Sequence, residues 1–228
     1  MAMRDWVRLP SKWIEEGHLA DLRWKSEETV GSDNVAALMV LSPIAHSADD
    51  EGLAKCTYDQ LCLATGLSRS KVSNGLSVLE EHGVIEREPS GRSTLQLTSY
   101  NEAGGWSKLP ARRLYSSGGA IIAFQEFTLR TRAELDALKL YYLFARRRSS
   151  QTNMAHLSYD KIEEYSGIQR LRIKRALSLL ATVGLVYLER IPSTLNDRGT
   201  ANAYRLAYLD SYNHMGTRGR DPDFARAE

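Results

Sequence analysis

Leu157-Ser-Tyr-Asp-Lys-Ile-Glu-Glu-Tyr-Ser-Gly-Ile168 runs directly into Gln169-Arg-Leu-Arg-Ile-Lys-Arg-Ala-Leu-Ser-Leu-Leu-Ala-Thr-Val-Gly184. The first segment reads as a short amphipathic helix closed by Gly167, the second as a longer helix. Ile173, Leu177 and Leu180 fall at i, i+4 and i+7, one face of a 3.6-residue period. Around that face lie Arg170, Arg172, Lys174 and Arg175. Gly184 stands where a helix C-terminus takes a left-handed residue. Two β-rich runs follow, Leu185-Val-Tyr-Leu-Glu-Arg-Ile191 and Ala203-Tyr-Arg-Leu-Ala-Tyr-Leu209. A polar loop with Pro192, Asn196, Asp197, Gly199 and Asn202 separates them. The order is therefore helix, tight turn, basic helix, hairpin.

The same order recurs upstream. Trp6-Val-Arg-Leu-Pro10 matches Trp106-Ser-Lys-Leu-Pro110, and Asn34-Val-Ala-Ala-Leu38 matches Glu134-Leu-Asp-Ala-Leu138 at the same offset of 100. With one inserted residue, Tyr58-Asp59 then matches Tyr159-Asp160, Gly66 matches Gly167, Arg69 matches Arg170, Leu76-Ser77 matches Leu177-Ser178 and Gly83 matches Gly184. Ordered matches at helix ends and core positions indicate two copies of one fold, roughly a hundred residues each. In the first copy Thr57 and Ser68 are expected as helix N-caps, with Gly66 in the turn between them. Val72, Leu76 and Leu79 form the buried face of its second helix, and a hairpin turns through Pro89-Ser-Gly-Arg92. The tryptophan-rich lead-in, Trp6 to Gly31, is expected to pack over its own copy. Ala103-Gly-Gly105 reads as the joint.

Composition bounds the function. Of 228 residues 43% are hydrophobic and 25% charged, as in ordinary globular proteins. No apolar run approaches the roughly 20 residues of a membrane span. Met1-Ala-Met-Arg-Asp-Trp6 lacks the apolar core of a signal peptide. Two cysteines are too few for a disulfide framework or zinc site, so a reducing cytoplasm is expected. The net charge of +2 hides an asymmetry: residues 1–104 hold 10 basic against 16 acidic residues, and residues 105–228 hold 20 against 12. The first part is thus at −6 and the second at +8, which suggests an anionic partner for the second.

Leu67-Ser-Arg-Ser-Lys-Val-Ser-Asn-Gly-Leu-Ser-Val-Leu-Glu-Glu-His-Gly-Val-Ile-Glu-Arg87 resembles bacterial winged-helix DNA-binding domains, as found in transcription regulators and in plasmid and phage replication proteins. The resemblance covers some thirty residues of each copy. The tandem arrangement resembles plasmid replication initiators. The expected fold is α+β, mainly α: two tandem winged helix-turn-helix domains related by internal duplication, at 1–104 and 105–210, followed by a flexible tail at 211–228. The resemblance implies a regulatory protein that binds double-stranded DNA, in transcription control or in replication and maintenance of a mobile element. Two alternatives stand beside it: a plasmid or phage initiator at origin repeats, and a protein-interaction module. A second copy of the chain or another protein is a further candidate partner. Neither a membrane nor a cofactor is expected.

Helical projection places Arg69, Ser70, Lys71, Ser73 and Asn74 outward in the first copy, and the resemblance places Arg69, Ser73 and Asn74 toward the groove. Arg can bond guanine O6 and N7 together, and Asn can do likewise with adenine. The same projection in the second copy gives Gln169, Arg170, Arg172, Lys174 and Arg175, a set suited to phosphate. Leu171 is unusual there if exposed, and suits a thymine methyl or a protein partner. Among hairpin cations, Arg92 and Arg198 lie nearest the tips, beside Arg87, Arg190 and Arg205. Arg146-Arg-Arg148 ends a helix, where cations meet either phosphate or the helix dipole.

Catalysis is not expected. No Gly-x-x-x-x-Gly-Lys-Ser/Thr or Gly-x-Ser-x-Gly motif occurs, and His18, His46, His82, His156 and His214 are scattered. Cys62 is expected as a buried thiol. Tyr58-Asp59 and Tyr159-Asp160 are expected to serve packing and first-turn charge.

Overall fold

The computed structural model describes residues 4–25, 29–87, 93–102, 105–192 and 200–209. The expected tail, both hairpin tips and positions 103 and 104 of the expected joint lie outside these. The fold is α+β, with helices and small antiparallel sheets. The first half runs β1 (Trp6–Pro10), α1 (Lys12–Glu15), α2 (His18–Asp21), α3 (Val30–Ser47), β2 (Leu53–Lys55), α4 (Tyr58–Thr65), α5 (Arg69–Glu81), β3 (Ile85–Arg87) and β4 (Thr94–Leu97). The second half runs β5 (Trp106–Pro110), two 3-10 turns at Arg112–Leu114 and Ile122–Glu126, and α6 (Arg132–Arg147). It continues with β6 (Met154–His156), α7 (Tyr159–Ser166), α8 (Arg170–Thr182), β7 (Val186–Pro192) and β8 (Thr200–Leu206).

Local chemistry sets the helix boundaries. Thr57 accepts from the backbone N–H of Gln60, whose side chain accepts in return from Thr57 N–H. Ser68 and Ser158 accept from the N–H groups of Lys71 and Lys161. These contacts satisfy donors that a helix N-terminus leaves orphaned. Gly66 and Gly167 end α4 and α7 at φ 75° and 67°, a backbone region that side chains resist.

Each half closes with a three-stranded sheet in which the last strand is central: β2-β4-β3 and β6-β8-β7. The hairpins differ in length. β3 and β4 pair from Ile85↔Leu97 to Arg87↔Leu95, whereas β7 and β8 pair from Val186↔Leu206 to Pro192↔Thr200.

A continuous apolar core joins the halves. α3 is apolar all round and correspondingly deeply buried from Val35 to Ala45. α5 approaches it so closely that a Cβ at Gly75 would lie 2.9 Å from the backbone of Ala36 and Ala37. The corresponding position of α8 is Ala176, buried against α6. Cys56 lies in the core with its thiol pushed up to about 11 by burial, whereas Cys62, expected to be buried, is partly exposed because its side of α4 is less covered.

The lead-in segments cross between halves. β1 pairs antiparallel with β5, Trp6↔Pro110 through Arg8↔Lys108 to Pro10↔Trp106. Trp6 stacks on Trp106 at 6.2 Å, with Arg8 over Trp106 and Lys108 over Trp6. The lead-in expected to lie over its own copy therefore also builds the other half. Beneath the ribbon α3 and α6 meet: Tyr142 donates to the Leu38 carbonyl and lies 2.7 Å from the Ser42 hydroxyl. At the α3 end, His46 Nε2 donates to the Pro110 carbonyl at 2.9 Å, and Nδ1 accepts from the Tyr115 hydroxyl at 2.7 Å. At the α6 end, Arg146 pairs with Glu15 and donates to the Trp106 carbonyl.

Burial lowers the His46 pKa from 6.5 to about 4, so the folded ring stays neutral at pH values where the unfolded ring charges. The unfolded state then binds the extra proton, and stability falls as pH drops from 6.5 toward 4. The loss amounts to about 3 kcal/mol at most, each pKa unit being worth ~1.4 kcal/mol. Chemical denaturation at stepped pH checks this. His46→Gln, which can keep both hydrogen bonds without titrating, is expected to flatten that part of the curve.

Candidate nucleic-acid interface

In each half the first helix of the turn motif places its neighbour. α4 and α5 meet through Gly66, α7 and α8 through Gly167. The apolar faces are buried as the period requires: Val72, Leu76 and Leu79 in α5, and Ile173, Ala176, Leu177 and Leu180 in α8. The opposite faces differ in chemistry.

On α5, Arg69 and Ser70 are exposed, while Lys71, Ser73 and Asn74 are half-buried. Arg69 pairs with Asp59 at 3.0 Å, which gives the first Tyr-Asp pair its role. Lys71 and Asn74, which helical projection turns outward, instead reach back to α3. Lys71 Nζ donates to Asp33 at 2.7 Å and to the Ser32 hydroxyl at 2.6 Å, and Asn74 donates to Asp33 at 3.1 Å. Burial alone would raise the Asp33 carboxyl, but hydrogen bonds from Lys71, Asn74 and Thr29 hold it below its ordinary value. In the hairpin, Arg87 pairs with Glu80 at 3.1 Å and donates to the Ser77 hydroxyl. Every described cation of α5 and its hairpin thus has an acidic partner.

On α8, Arg170 pairs with Asp160, repeating the Arg69–Asp59 arrangement. Arg172 turns inward to Asp136 of α6 at 3.3 Å. Burial raises the Asp136 carboxyl against the pull of Arg172 and Lys139, and burial also lowers Lys139 to about 8. Lys174 and Arg175 stay exposed, with no ion-pair or hydrogen-bond partner among the described residues. Arg190 of β7 is likewise exposed and unpartnered, while Arg205 pairs with Glu189 and lies over the Tyr187 ring. Leu171 stands on the same helix at 95% exposure, the most exposed large apolar side chain described. Arg92 and Arg198 lie outside the described residues.

The Arg146-Arg-Arg148 run is engaged internally. Arg146 joins Glu15, Arg147 stacks over Tyr165 at 4.0 Å, and Arg148 donates to Asn153. Sequence reasoning did not single out Asp33 and Asp136. Among the described residues no cluster of His, Cys, Asp and Glu could hold a metal ion, and no helix is long and apolar enough to cross a membrane.

No known family profile matches the chain. A 92-residue match, covering 38% of the chain, is 38% identical to the LexA repressor of Moorella thermoacetica. The match takes in 44% of that repressor, so the chain spans less than half the length of the relative it matches.

The inward and outward positions of α8 are expected to respond differently to substitution. Arg172→Ala removes the ion-pair partner of the buried Asp136, with Lys139 and Arg132 still nearby, and should cost about 2 to 3 kcal/mol. Leu171→Ser, at a solvated position, should change stability by less than ~0.5 kcal/mol. Urea unfolding of the two variants beside the wild type checks both.

Proposed function

We propose that the chain is a regulatory protein that binds double-stranded DNA through two tandem winged helix-turn-helix units, with α8 and the β7–β8 hairpin as its main contact. The observation that carries this reading is the set of unpartnered cations, Lys174, Arg175 and Arg190, on the helix and hairpin of one half. Elsewhere on both turn motifs, the described cations are neutralised at short range. Cations left free beside a solvated helix face suit phosphate, whose contacts position a protein on the duplex. The longer β7–β8 hairpin lets this half reach farther along the backbone than β3–β4 does. The common order of elements and the matched sheet orders support a duplicated winged-helix unit. The likeness to a protein named as a repressor supports a DNA-binding regulatory role in general. No catalytic step and no cofactor enter this reading.

The test is a binding titration on duplex DNA at two salt concentrations. Wild-type affinity should fall steeply with salt, because neutralised phosphates release counterions. Lys174→Ala/Arg175→Ala/Arg190→Ala should shrink the slope of log K against log salt by about 2 to 3 and weaken binding broadly across sequences. Arg69→Ala should do far less. Salt-insensitive retention, or a triple variant that binds like the wild type, would sink the reading.

A further inference from the structure

The contacts between the halves are reciprocal. Trp6↔Pro110 in the ribbon has its counterpart in Pro10↔Trp106, and the central pair Arg8↔Lys108 joins two positions that are each other's equivalents. Arg8 covers Trp106 while Lys108 covers Trp6. His46 meets Tyr115, and at the matching positions Arg146 meets Glu15. Ser42 and Tyr142, again equivalent, meet on α3 and α6. When residue i touches j and the equivalent of j touches the equivalent of i, a two-fold axis relates the units; a head-to-tail array lacks this reciprocity. The chain therefore contains an internal dyad, and the surfaces around it are consumed within one copy.

The two reading helices are not alike across that dyad. Ser70, Ser73 and Asn74 of α5 occupy the positions of Leu171, Lys174 and Arg175 of α8. Free cations lie on the α8 side. A duplex has local dyads perpendicular to its axis, so a two-fold pair of helices meets two half-sites in opposite orientation.

We propose, resting on the DNA reading above, that one copy of the chain covers one asymmetric duplex site made of two unlike half-sites set about a local dyad. α8 anchors one half-site through phosphate, and α5 selects the other through uncharged contacts. The half-site centres are separated by one helical turn or a multiple of it, about 10 base pairs each.

The experiment is selection of duplexes from a random pool by the wild type and by Ser70→Leu/Ser73→Lys/Asn74→Arg, which copies the α8 face onto α5. Footprinting and protein-to-DNA stoichiometry follow on the selected sites. The wild type should protect two grooves with one chain per site. Scrambling the α5 half-site should weaken binding about 100-fold, in line with a few base-pair mismatches, and scrambling the α8 half-site less than about 10-fold, because phosphate contacts carry little sequence information. The grafted variant should lose the α5 half-site preference and select sites whose two sides are alike about the dyad. A direct repeat, two chains per site, a single half-site for both proteins, or one chain bridging two duplexes overturns the proposal and leaves the DNA reading standing. If neither protein retains duplex DNA at low salt, the DNA reading falls and this proposal with it. Should the graft not fold, the wild-type footprint and stoichiometry still decide.

Discussion

The backbone of the first strand, Trp6–Pro10, finds its hydrogen-bond partners a hundred residues away in Trp106–Pro110. A strand left without a partner would carry unpaired N–H and C=O groups, and a lone two-stranded ribbon is marginal in water. This ribbon persists because its inward side chains, Val7, Leu9 and Leu109, are buried in the core shared by both halves. The pairing of β1 with β5 thus commits the halves to one arrangement. The Tyr142 bond to Leu38, the His46 bonds to Pro110 and Tyr115, and the Arg146–Glu15 pair all depend on it. Buried polar groups of this kind penalise any other docking, because each would lose its partner.

Two carboxylates decide how α5 and α8 present themselves. Asp33 holds Lys71 and Asn74, and Asp136 holds Arg172. Each interaction ties a second helix to the long helix beneath it and withdraws a cation from the surface. The cations of α5 are then paired, while α8 keeps Lys174 and Arg175 in solvent. Similar scaffolds thereby present different surfaces. Net charge by half pointed in this direction, but short-range pairing sharpens the contrast.

Much of this was legible in the order of residues. The period of Val72, Leu76 and Leu79, and of Ile173, Leu177 and Leu180, identified the buried faces. Thr57, Ser68, Gly66 and Gly167 marked helix ends because capping and left-handed backbone are local requirements. Offset matches between the halves pointed to a recurring order of elements, as found. The direction of a long polar side chain is not set by the helix alone. A helical wheel assigns a direction to each Cβ, but Lys and Arg have long stems that bend toward a carboxylate on a neighbouring helix. Lys71 and Arg172 were placed outward for that reason, and so was Asn74, which an acceptor on α3 draws in.

What the sequence by itself determined is whatever depends on neighbours within a few turns: periodicity, caps, turns, the hairpin runs and the basic character of α8. The tertiary structure decided what depends on residues far apart in the chain. It paired Trp6–Pro10 with Trp106–Pro110, set a dyad between halves, and chose which cations are spent internally. The physical reason is range. Backbone preferences and helix caps act over a few residues, whereas an ion pair or a strand pair depends on distance in space, which only the packed chain defines.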